Sequence, residues 1–218
     1  MKISILGTGK MGSTVGRQLA GAGYEVVFGS RDPETQRGKY AKESRIMVKN
    51  YAEAAREGDV TIIAVPWAHT LDLIKRIRAE LDGKVIVDLT NPLAADISHL
   101  VVGGANSAAE QVAEALSGSM VVKAFNGITA DNFQTPRFSG DIAQVLYCGD
   151  ERSAKKIVKE LIEACGYDGV DCGALTNARY LEGMAMLWLQ LAFWEDWGGN
   201  FSFRVVHRNP QTHMAYLP

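Results

Sequence analysis

KISILGTGKMG, residues 2 to 12, decides how the rest of the chain is read. Residues 3–6 form a short apolar run that enters Gly7 directly. A helical pattern begins at about Lys10, with Met11, Val15 and Leu19 on one face. A strand, a glycine turn and a helix are the setting in which G-x-G-x-x-G binds a dinucleotide. Gly7 permits the tight turn. Gly9 has no side chain, so backbone N–H groups can approach a pyrophosphate, and Gly12 lets the helix lie close on the strand. The unpaired N–H groups and the dipole at the helix start favour the anion.

Outward from this motif the pattern repeats. Apolar runs occupy 25–29, 60–65, 84–88, 120–125, 143–148 and 167–171, with a weaker one at 45–48. Several are apolar along their whole length, as strands covered on both faces are. Helical patterns lie between them, and Leu71, Ile74, Ile77 and Leu81 share a face. The expected fold is α/β, a Rossmann-type doubly wound, mostly parallel sheet. Composition shifts near Gly173, so 1–173 reads as the nucleotide domain and 174–218 as a small helical appendage. A nearly all-apolar helix is expected over 174–197, then a strand over 201–206 and a polar tail over 207–218. Arg179 and Glu182, one turn apart, are expected to pair locally.

The 218 residues are 47% hydrophobic and 22% charged, with a net charge of −2, which suits neither a nucleic-acid nor a membrane surface. Cys148, Cys165 and Cys172 are odd in number and form no C-x-x-C pair, which points to a reducing, cytoplasmic setting. His69, His99, His207 and His213 lack metal-ligand spacing, so no metal is expected. The longest apolar stretch, 184–194, falls short of the roughly 20 residues a membrane span needs, and no signal peptide is expected.

Residues 28–32 read FGSRD. An acidic residue usually ends the second strand and holds the ribose 2′-hydroxyl of NAD. A carboxylate would repel the 2′-phosphate of NADP, whereas a guanidinium offers it paired donors. Arg31 beside Ser30 therefore reads as a 2′-phosphate clamp, with Thr8 close by and Arg37 or Lys39 as further charge; its other reading is a solvated loop residue. Asp32 is the competing group for a ribose. Ligands of open α/β sheets sit beyond the carboxyl ends of the strands. Three later loops should therefore wall the nicotinamide: Pro66-Trp67-Ala68-His69, Thr90-Asn91-Pro92 and Asn126-Gly127-Ile128. Trp67 is either packed on the cofactor or simply half-buried, and Asn126 is either a wall residue or a turn-former.

The segments GTGKMG (7–12), FGSR (28–31), AVPWAHTLD (64–72), SAAEQVAEAL (107–116), CGD (148–150) and DCGALTNAR (171–179) resemble the NADPH:coenzyme F420 oxidoreductases. The reductase domain of STEAP metalloreductases shares that fold. The resemblance implies NADP contacts from Thr8, Gly9, Lys10 and Met11, from Ser30 and Arg31, and from Val65, Trp67, Asn91 and Ala130. It also implies hydride transfer between NADPH and a small-molecule acceptor, F420 or a flavin. The cofactors carry that chemistry, so no nucleophile or obligatory acid or base is expected. His69 is the one candidate proton partner, with helix initiation as its other reading. This chain lacks the family's extra fingerprint glycine, has Thr35 where a lysine assists the clamp, and has the polar Asn91 in the pocket.

Two other readings stand beside this one. Pyrroline-5-carboxylate reductases and β-hydroxyacid dehydrogenases share the opening motif. They continue into a large helical domain, and the latter use a helix lysine that 174–197 lacks. A non-catalytic NADP(H)-sensing module is the other. The stretch 184–194 is apolar on every side, which predicts burial all round and a homodimer through this helix.

Overall fold

The computed structural model describes residues 1–208. Among these residues lie ten strands and eight α-helices. The first half runs β1 (Lys2–Leu6), α1 (Lys10–Gly21), β2 (Glu25–Gly29), α2 (Pro33–Tyr40), β3 (Ile46–Lys49), α3 (Tyr51–Glu57), β4 (Val60–Ile63), α4 (Trp67–Arg76), α5 (Arg78–Leu81) and β5 (Val85–Asp88). The second half adds α6 (Ala108–Ala115), β6 (Met120–Lys123), β7 (Arg137–Phe138), β8 (Asp141–Ile142), β9 (Gln144–Gly149), α7 (Arg152–Ala164), β10 (Asp168–Asp171) and α8 (Ala178–Phe193).

Eight strands form one sheet in the order β10-β9-β6-β5-β4-β1-β2-β3. From β6 to β3 every neighbour is parallel. β9 runs antiparallel to β6, and β10 parallel to β9. Successive side chains of a strand point to opposite faces. Ile3, Ile5, Val26, Phe28, Val85 and Val87 accordingly join one core cluster, shared with Val15 and Leu19 of α1 and Val158 and Leu161 of α7. Leu6, Val27 and Ile86 join the other, with Ala54 of α3, Ile74 of α4, Val112 of α6 and Leu181 of α8. Burial on both faces is why these strands are apolar throughout.

The structure corrects four expectations. The helix expected over 174–197 is a 3-10 turn, Leu175–Asn177, followed by α8 over Ala178–Phe193. Within one chain the outer face of α8 stays exposed, Leu187 at 50% and Phe193 at 62%, which leaves the expected contact with a second copy neither met nor contradicted. Residues 201–206 pair with no strand. That run is held instead by side chains: Phe201 stacks on Trp188, whose indole N–H donates to the Phe201 carbonyl at 3.0 Å. The Val205 N–H donates to Gln144 Oε1 at 2.7 Å, and Arg204 pairs with Asp141. Arg179 and Glu182 do not pair. Arg179 bonds Glu110 of α6, while Glu182 turns into the core. The face shared by Leu71, Ile74, Ile77 and Leu81 also bends, because Ile77 leaves helical geometry between α4 and α5. The tail expected over 207–218 lies outside the described residues from 209 onward.

Candidate active site

Because β1, β2, β4, β5 and β6 are parallel, the loops after them emerge along one edge. The chain runs from β1 outward through β2 to β3 and then crosses back to β4 on the other side of β1, so a crevice opens there. Gly7 closes the turn after β1. It has φ +126, a Cβ at this position would lie 2.5 Å from the Ala64 carbonyl oxygen, and its N–H donates to Gly29 at 3.0 Å. A Cβ on Gly12 would lie 2.4 Å from the Gly7 carbonyl oxygen. At Gly9 a Cβ would meet nothing within 4 Å, so the space before α1 is open. Gly9 starts α1 with no side-chain cap and no acidic residue in the first turn. α4 likewise starts at Pro66 without a cap or an acid. By contrast Asp32, Asn50 and Ser107 cap α2, α3 and α6. The crevice thus presents uncapped backbone N–H groups from α1 and α4, the donor set a pyrophosphate fits.

Ser30 and Arg31 stand after β2. Ser30 is buried, accepts the Asp32 N–H at 3.1 Å and donates its own N–H to the Lys49 carbonyl at 2.9 Å. It therefore shapes the loop that presents Arg31. Arg31 is exposed and makes no hydrogen bond or ion pair among the described residues, and its charge acts on Tyr51. Asp32 is committed elsewhere: it accepts the Thr35 hydroxyl at 2.6 Å and the Thr35 N–H at 3.3 Å. The Thr35 hydroxyl bond holds its carboxyl below the usual carboxylate range. Arg37 bonds Glu34 and the Val48 carbonyl. The Thr8 carbonyl accepts from the Ser13 hydroxyl at 3.0 Å.

Past β4, Val65 is buried, Trp67 half-buried against the core and His69 exposed in the first turn of α4. The His69 N–H donates to the Pro66 carbonyl at 2.9 Å, as a helix-starting residue would. The loops after β5 and β6 meet. Asn91 Nδ2 donates to the Asn126 carbonyl at 2.8 Å, and Asn126 Nδ2 donates to Asn91 Oδ1 and to the Leu181 carbonyl, both at 3.0 Å. Pro92 is buried beside them and Ala130 half-buried. Lys10 reaches the same region through an exposed ion pair with Asp131 at 2.6 Å, and Met11 packs against the core. Next to Asn126 lies a mostly apolar cavity lined by Gly127, Ile128, Leu181, Met184 and Phe203.

Residues 2–92 match the family described as NADP oxidoreductase, coenzyme F420-dependent. The F420-dependent NADP reductase of Methanocaldococcus jannaschii is 34% identical over 207 residues, which cover 88% of this chain and 92% of that protein. The chain belongs to this family. As a family member it is an oxidoreductase that uses NADP. The metalloreductase STEAP3 of Rattus norvegicus is 33% identical over 186 residues, covering 85% of this chain but 36% of that longer protein. A crystal structure from Arthrobacter sp. FB24, provisionally described as an F420-dependent NADP reductase, superposes with a TM-score of 0.87 at 28% identity. It covers 95% of this chain and 100% of its own.

One cluster escaped the reading of the sequence. Lys123, Asp88 and Glu182 meet with side chains 0%, 0% and 1% exposed. Each left a trace: a lysine closing the apolar strand MVVK, an aspartate ending VIVD and a glutamate inside an apolar helix. A charge at a position that packing should bury is the signal, because it needs a partner there.

Proposed function

We propose that the protein transfers hydride between NADPH and the deazaflavin of coenzyme F420. The Arg31 guanidinium carries this reading: it stands just past the end of β2, with no partner among the described residues, beside the uncapped start of α1. NADP would place its 2′-phosphate at Arg31 and its pyrophosphate at the N–H groups of Gly9, Lys10, Met11 and Gly12, with Thr8 and Ser30 between. NAD would find no free carboxylate for its ribose, since Asp32 is held by Thr35. Val65, Pro66, Trp67, Asn91, Pro92, Asn126 and Ala130 would line the nicotinamide end. When bound, NADPH supplies the hydride from its own ring carbon. What the chain contributes is alignment of two rings and exclusion of water. No obligatory acid or base is assigned, and His69 stays a helix-start residue unless its substitution alters a pH profile.

Residues 1–173 serve as the nucleotide unit in this reading, and 174–218 complete the acceptor side and a homodimer contact. Tyr180 and Leu187 on α8 and Trp194 just past its end are exposed at heptad spacing, with Phe193 and Trp197 nearby. That apolar stripe is the proposed contact with a second copy, and a monomer in light scattering would remove it. The three free thiols support a cytoplasmic setting. Among the described residues no helix is long and apolar enough to cross a membrane.

The test is NADPH oxidation against F420, FMN, FAD and quinones. F420 should be reduced fastest. Tight NADPH binding with no turnover on any acceptor would instead make the protein an NADP(H) sensor.

A further inference from the structure

The Lys123 ammonium has three N–H donors, and all three are used. They go to Asp88 Oδ2 at 2.9 Å, to Glu182 Oε1 at 2.8 Å and to the Thr90 carbonyl. Asp88 Oδ1 in turn accepts the Thr90 N–H at 3.0 Å and the Thr90 hydroxyl at 2.8 Å. Glu182 accepts the N–H groups of Ala108 at 3.0 Å and Ala109 at 3.3 Å, the first two of α6. Four elements, β5, β6, α6 and α8, therefore meet at one buried ammonium.

Such a cluster needs a reason beyond stability. Well-packed apolar residues in place of a buried ion triad are often as stable or more so. What this cluster adds is a fixed geometry. Its bonds close a ring with the asparagine pair: Lys123 holds Thr90, the next residue Asn91 bonds Asn126, Asn126 bonds Leu181, and the next residue Glu182 returns to Lys123. Phe125, on the short backbone run that joins Lys123 to Asn126, has φ +62, a conformation a bulky residue adopts only when its surroundings impose it. Among the described residues, Asn126 Oδ1 accepts no hydrogen bond and Asn91 Nδ2 makes only one. The carbonyl oxygen of Asn126 and one N–H of Asn91 thus remain unused on the pair, a combination that matches a primary carboxamide.

We propose that Lys123, with Asp88 and Glu182, is a positioning residue that sets the Asn91–Asn126 pair to receive the carboxamide of the nicotinamide. This inference rests on the reading that NADPH lies in the crevice. It predicts that the triad governs the nicotinamide end of the ligand and leaves the adenosine end alone.

The test compares NADPH with 2′-phospho-ADP-ribose, which lacks the nicotinamide, by calorimetry on the full chain. The variant D88N/K123M/E182Q removes all three charges at near-constant volume, so no buried charge is left without a partner. Its affinity for 2′-phospho-ADP-ribose should stay within about twofold of the parent, while the extra affinity that the nicotinamide gives NADPH should fall about tenfold. Where an acceptor turns over, the single-turnover hydride-transfer rate should also fall about tenfold. An unchanged ratio of the two affinities overturns the proposal, as does an equal loss for both ligands, which a merely structural role would give. Should the triple variant not fold, E182Q keeps the Lys123–Asp88–Thr90 bonds. It should lower the same ratio about threefold, and an unchanged ratio again overturns the proposal. A parent protein that binds neither ligand would sink the NADP reading itself, a result distinct from either of these.

Discussion

Arg179 grips Glu110 with two parallel bonds, Nε to Oε2 at 2.8 Å and Nη2 to Oε1 at 2.5 Å, which fastens α8 to the first turn of α6. The Arg179 hydrogen bond, helped by Ser107, holds the Glu110 carboxyl below its ordinary value despite partial burial. A carboxyl depressed in the folded state stabilises the fold above its unfolded pKa, and that stability is lost as pH falls through the folded pKa. Glu110→Gln should therefore lower Tm by a few degrees at neutral pH. The gap from the parent should close in acid, below the ordinary glutamate range. Thermal melts across pH check this, and a gap constant with pH would contradict it.

Arg31→Asp replaces the unpaired guanidinium with a carboxylate at the proposed 2′-phosphate position. Losing a charge-assisted bond and adding repulsion should raise the Kd for NADPH at least about tenfold and leave NADH nearly unaffected. Titration of both nucleotides reads this directly, and an unaltered preference for NADPH would remove the clamp.

Gly9 and Gly12 make opposite predictions. A Cβ at position 9 meets no atom within 4 Å, and Gly9 has an ordinary φ of −68. Gly9→Ala should melt like the parent yet bind NADPH weakly, because the methyl group takes the space a phosphate would use. A Cβ at position 12 would press on the Gly7 carbonyl oxygen at 2.4 Å, and backbone cannot yield cheaply there. Gly12→Ala should lose stability as well as binding. Paired melting and binding curves separate the two.

Much of this was legible in the residues, for a physical reason. Strands buried on both faces must be apolar throughout, so each announces itself, and the fingerprint points to the edge where the proposed ligand would sit. The direction of β9 was not legible, because an apolar strand looks the same in either orientation. The run 201–206, Phe-Ser-Phe-Arg-Val-Val, alternates like a strand, yet its rings find Trp188 before its backbone finds a sheet edge. Arg179 and Glu182 have the spacing of a local pair, but their partners come from 69 and 59 residues away and are less exposed to water. Local spacing says nothing of such partners, which is why the Lys123 cluster beneath the asparagine loops was also missed.

The thiols give a fourth test. Burial pushes Cys148 and Cys165 up to about 12, so almost no thiolate exists at pH 8. Cys172 is also raised by burial but is only half-buried. A disulfide reagent at pH 8 should label Cys172 first and reach the other two only with unfolding. Rapid labelling of all three in native protein would contradict the packing described.

β1 lies inside the sheet, third from the β3 edge, with Ile3 paired to Val26 on one side and Val60 on the other. β1 is made before β4 on the ribosome and thus waits for a neighbour translated some time later. Until β4 arrives, one of its edges has no partner, and nascent chains paused in that interval are the ones a chaperone should find. Once the sheet is complete, amide protons of Ile5 and Leu6 should exchange with solvent only through global opening. The turn proposed to meet the nucleotide would then hang from a slowly exchanging part of the molecule.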